Sequence, residues 1–286
     1  MNRIRLGAFI LGIAIAVVAL ALGRPVSEQP IAQEYSEVST IGNGARTFAD
    51  LSKRFKSLAE EKGALYAFEI LKSASLQPNT DTHLLGLTVG EILYTQKGVS
   101  GISDCTQDFR NACSHAVVVG VFEEHGPATT TLDLIDGACK KAPGGSGAYT
   151  MCYHGLGHGI FSFFKYDLPT TIALCKRTGT EEYFDEQYTQ CVSGAVMELL
   201  SGGGHDRTAW LQARLKYLLE TNPLAPCNTF VEGNARGFCY LYLTPRLLEL
   251  AGADLGNPDP STFPKAFSFC ERISQSETQL RRLCYE

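Results

Sequence analysis

The spacing of the cysteines constrains this chain more than any other feature. All ten fall between Cys105 and Cys284, and short intervals alternate with long ones. An even cysteine count behind an export-type N-terminus reads as a disulfide framework rather than as free thiols. Pairing across the short intervals gives Cys105–Cys113, Cys139–Cys152, Cys175–Cys191, Cys227–Cys239 and Cys270–Cys284, with none left over. Pairing across the long intervals strands Cys105 and Cys284, so the first connectivity is preferred. The close cysteine pairs that structural zinc sites use are absent from the sequence.

The same alternation exposes an internal repeat. Apolar segments follow Cys113, Cys152, Cys191 and Cys239, and further apolar stretches close on Cys139, Cys175 and Cys270. The period, roughly 40–50 residues, suits a two-helix hairpin. A cysteine-poor copy begins near Thr82, where His83 and Gly86 match His154 and Gly157. Helical spacing supports this: Leu51, Phe55 and Leu58 form one stripe, and Leu65, Phe68 and Leu71 a second. Leu211, Leu215, Leu218 and Leu219 form a third, closed by Thr221-Asn222-Pro223. Prolines fall mostly between these stretches. The expected fold class is all-α, a disulfide-stapled and solenoid-like stack of α-hairpins, because hairpins this small need neighbours to bury their faces.

Cys105 and Cys113, eight residues apart and followed by an apolar helix start, resemble the cysteine-rich Sel1-like repeats, relatives of tetratricopeptide repeats. The resemblance implies that paired cysteines staple the end of one helix to the start of the next. The later intervals are wider, and the Leu-Gly-x-x-Tyr segment of those repeats is missing. The segment from Cys152 to Gly159 also resembles segments of uncharacterised exported bacterial proteins, which carry no activity to transfer.

Arg3 and Arg5 precede an unbroken apolar run from Leu6 to Gly23, the pattern of a signal peptide or signal anchor. Small residues around Ala21 and Gly23 permit cleavage; uncleaved, the run is long enough to hold the chain in a membrane. Either way the rest is expected in a periplasmic or extracellular compartment, anchored to the inner or plasma membrane if the run is retained. Residues 24–46 read as a flexible polar linker and residues 47–286 as the helical-repeat domain. A net charge of −5 with scattered basic residues argues against a nucleic-acid partner.

The chemically suggestive segment is Cys152-Tyr-His154-Gly-Leu-Gly-His158. On a helix His154 and His158 share a face one turn apart and can bind one divalent transition-metal ion together. Gly155 stands where the zinc-protease pattern needs its glutamate, so no catalytic set is assigned. His115 occupies the column of His154, and His83 one repeat earlier continues it. Equivalent positions in neighbouring helices lie about 8–10 Å apart, so these rings can converge. Glu198 is the nearest acidic candidate, with Glu123 and Glu124 as others, and His205, in a Gly-rich loop, could add a ligand. A packing explanation competes: Ala116, Gly155 and Gly194 form a column of small residues, and the histidines would then hydrogen-bond neighbouring hairpins. The function expected first is an exported helical-repeat scaffold for a protein or peptide partner; the alternatives are a metal-binding protein or metalloenzyme built on His154 and His158, and a structural module of an envelope assembly.

Overall fold

The computed structural model describes residues 36–286 apart from 79, 203, 204 and 256–258. The apolar run and most of the polar linker lie outside the described residues. Among the described residues there is no strand, and no helix is long and apolar enough to cross a membrane.

Local chemistry sets where the helices begin. After a short helix, α1 (Ser36–Thr40), Thr47 and Asp50 form a reciprocal capping box that starts α2 (Phe48–Lys62). Gly63, at φ 99°, breaks the chain before α3 (Ala64–Ser73). Asp81 caps α4 (Thr82–Lys97) by accepting from the Leu84 amide. A 3₁₀ segment, Gly98–Asp104, leads to α5 (Asp108–His125), then α6 (Thr129–Cys139) and α7 (Gly145–Phe163). Asp167 caps α8 (Leu168–Cys175) and Asp206 caps α10 (Arg207–Tyr217), on either side of α9 (Glu186–Ser201). The chain closes with α11 (Ala235–Tyr242), α12 (Thr244–Ala251), α13 (Phe263–Ser268) and α14 (Thr278–Tyr285).

The helices α4, α5, α7, α9, α11 and α14 pack side by side in chain order, with the closest association between α7 and α9. The others flank this row: α2 and α3 lie on α4, and α8 and α10 lie on α9. All five short-interval disulfides are formed, and no free cysteine remains. Each ties a flanking segment to a row helix. Cys139 and Cys175, the last residues of α6 and α8, are bonded to Cys152 in α7 and Cys191 in α9.

Glycine permits the close approach of α7 and α9. A methyl group on Gly157 would run into the Cys191 carbonyl, and one on Gly194 into the His154 carbonyl. Backbones meet directly there, so the side chains on either side of the contact are drawn into one layer.

Two features differ from the sequence-level expectation. Most of the leucine stripe does not face the core: Leu215 is 74% exposed and Leu211 and Leu219 are also exposed, whereas Leu218, just past the end of α10, is buried. The buried face carries Trp210, Ala213 and Tyr217 instead. Aromatic rings win because Trp210 Nε1 also donates to the Glu198 carbonyl while Arg207 and Arg214 stack on the indole. The end of the expected linker is also fixed. Ile41 is buried, Arg54 donates to the carbonyls of Ile41 and Asn43, and residues Glu37–Glu286 form one compact unit.

Candidate metal centre

Five of the six histidines converge inside the helix row. His83 comes from the first turn of α4, His115 from α5, and His154 and His158 from α7. His205 comes from the loop before α10. His115 and His154 each lie two residues beyond a disulfide-bonded cysteine, Cys113 and Cys152. The staple thus fixes the helical turn from which each ring projects. Glu198 enters from α9. His83, His115, His154, His158 and Glu198 are each at most 4% exposed.

The rings are packed at the spacing of a shared coordination sphere. Ring centres of His83, His115 and His158 form a triangle with sides of 5.7, 5.2 and 6.0 Å. His205 lies 4.9 Å from His115, and His154 lies 5.0 Å from His158. Imidazoles bound tetrahedrally to one ion through nitrogens about 2.1 Å away place their ring centres about 5 Å apart. Donor atoms of His83, His115 and Glu198 all lie within 4.8 Å of one another.

Hydrogen bonding orients these rings and leaves ligand atoms bare. His83 Nδ1 is 2.6 Å from the Phe109 carbonyl, which only accepts, so Nδ1 carries the proton and Nε2 keeps its lone pair. The backbone makes this possible at a cost: Phe109, Arg110 and Asn111 are all left-handed, at φ 54°, 56° and 59°. His158 Nδ1 is 2.9 Å from Glu198 Oε2. A carboxylate on one ring nitrogen and a free second nitrogen is the outer-shell arrangement of metal-bound histidine. His158 Nε2, His205 Nε2, His154 Nδ1 and both nitrogens of His115 are buried without a hydrogen-bond partner. Each such group costs about 1–3 kcal/mol when nothing satisfies it. Gly202 makes room for the acid, since a methyl group there would run into the Glu198 carboxylate.

Electrostatics keep the rings neutral. Burial, and next the neighbouring imidazoles beginning with His205, hold His115 well below its ordinary value. Burial, then the charges of His83 and Arg110, does the same to His158. Burial, with His158 adding to it, lowers His154 to about 3. His83 and His205 are lowered by burial as well. Neutral imidazole is the form that ligates metal.

An open cavity of about 490 Å³, lined by Glu91, Tyr94, Gly120, Glu123, Glu124 and His205 among others, reaches the edge of the cluster. His125, the remaining histidine, is exposed beside Glu124.

Of the residues singled out from sequence, His115, His154, His158 and Glu198 lie together, and His83 and His205 join them. Glu123 and Glu124 line the outer cavity instead. Sequence reasoning missed the Phe109 carbonyl, Gly202 and Met197, whose Sδ lies 3.4 Å from His154 Nε2. Only the glycine left a sequence signal, as part of Gly202-Gly-Gly204 before His205. No protein-family model, curated protein or solved structure matches the chain.

Proposed function

We propose that this chain is a metalloprotein whose helix row is built around a transition-metal ion held by His83, His115 and Glu198. The observation that carries it is His115: fully buried, without a partner on either nitrogen, and ringed by three other histidines. A histidine kept for packing would hydrogen-bond a neighbour, because a bare buried nitrogen is destabilising. Two nitrogens and a carboxylate suit zinc, iron or a similar borderline ion better than calcium or magnesium. Three protein donors leave a coordination position for water or a small ligand, and a cavity lined in part by His205, whose ring contacts that of His115, lies on that side of the cluster. The five disulfides and the basic-then-apolar N-terminal sequence support action in an oxidising compartment outside the cytoplasm.

The test is metal analysis of untagged protein, as purified and after stripping with chelator and reconstitution with zinc or iron(II). One equivalent that disappears in His83→Ala and His115→Ala is expected. Metal content at background, or unchanged in both variants, would overturn the proposal.

A further inference from the structure

The histidine cluster is longer than one coordination sphere. Among the described residues, His205 is in ring contact with His115 alone of the histidines, and His154 with His158 alone. An ion held by His83, His115 and Glu198 therefore leaves the His154 end unserved. That end has a different chemistry, because the atom facing His154 Nε2 is the thioether sulfur of Met197.

We propose that His154, His158 and Met197 form a second metal position, a soft site for copper(I), beside the first. It rests on the reading of the histidine core as a metal centre. As an N–H···S contact the His154–Met197 approach is weak, since thioether sulfur is a poor acceptor. The ring is 1% exposed, so no solvent strengthens that contact. A cation between Nε2 and Sδ replaces that weak contact with two coordinate bonds. With an ion about 2.1 Å from nitrogen and about 2.3 Å from sulfur, the 3.4 Å separation subtends roughly 100°, close to tetrahedral.

His158 supplies the third donor. Its ring centre is 5.0 Å from that of His154, the spacing expected for two imidazoles on one ion, and its Nε2 has no hydrogen-bond partner. Glu198 holds its Nδ1 and brings a negative charge next to the site. Two imidazoles and a thioether form a soft, low-charge donor set that favours copper(I) over magnesium, calcium or manganese. Thiolate competition is absent, since all ten cysteines are in disulfides.

The experiment loads chelator-stripped protein with zinc and then titrates copper(I) against the chelator bicinchoninate. One copper(I) per chain is expected without displacement of zinc. Met197→Leu, nearly equal in volume, should lower copper(I) affinity by roughly tenfold or more while zinc stoichiometry stays the same. Copper K-edge fine structure should show a sulfur scatterer in the parent protein and none in Met197→Leu. No copper(I) uptake by the zinc-loaded protein, or uptake with equal affinity and no sulfur scatterer, would overturn the proposal. A protein that takes no zinc but binds copper(I) through Met197 would remove the first centre and support the second, so the two failures are distinguishable.

Discussion

His115 contributes two unsatisfied nitrogens to a fully buried position, so in the metal-free protein it opposes folding. Replacing it with an apolar side chain of similar size removes about 1–3 kcal/mol of desolvation. Metal-free His115→Leu is therefore expected to melt several degrees above the metal-free parent, at about 2–4 °C per kcal/mol for a domain of this size. Calorimetry decides this, and a lower melting temperature would mean the ring is held by contacts that stabilise it. Asp167 acts in the opposite direction. Hydrogen bonds from Thr170, then Lys216 and Tyr217, hold its carboxyl at about 2, below the usual 3.8. A lowered carboxyl stabilises the fold above its unfolded value and loses that contribution as pH falls through its folded value. Asp167→Asn should be less stable than the parent at pH 7, with the gap closing between about pH 4 and pH 2. Urea melts at successive pH values measure it, and a pH-independent gap would contradict the assignment.

At the scale of helices, the α7–α9 contact decides how closely the histidine and glutamate layers meet. Gly194→Ala would push a methyl group into the His154 carbonyl, and overpacking of this kind costs about 1–3 kcal/mol. The variant should melt lower and also bind metal more weakly, because His158 and Glu198 face each other across the same contact. Surface changes on α10 should behave otherwise. Leu215→Lys is expected to alter stability by no more than about 0.5 kcal/mol, since Leu215 is 74% exposed. The helical class and the disulfide pairing could be read from the spacing of the cysteines, and the approach of His115, His154 and His158 from their places in the repeat, whereas Glu198 was only the nearest of three acidic candidates. That spacing reports position along a helix, and the staples convert it into position in space. The direction of α10 was not legible, because its leucine stripe and its Trp210–Tyr217 face have equal helical periodicity. Only tertiary contact from Trp210 to the Glu198 carbonyl separates them. Met197 was invisible for a related reason: a methionine in an apolar helix says nothing of a histidine on its neighbour.

Across the whole molecule, stability and site geometry share the same covalent frame. Each disulfide closes a loop of 8 to 16 residues, contributing about 2–3 kcal/mol in the chain-entropy view. Removing Cys227–Cys239 with two serines should lower the melting temperature and leave zinc binding intact, since neither α11 nor its staple carries a ligand. Removing Cys105–Cys113 should lower both, because that staple fixes the turn bearing His115. Paired melting and zinc titrations of the two variants separate a frame that only stabilises from one that also positions. What occupies the space among His83, His115 and Glu198 decides whether the helix row is built around an ion. The most direct measurement is an anomalous difference map from zinc-reconstituted crystals, collected above and below the zinc edge. A peak about 2.0–2.2 Å from the three donor atoms is the expected result. Rings bridged only by water, with no anomalous peak in the cluster, would contradict it.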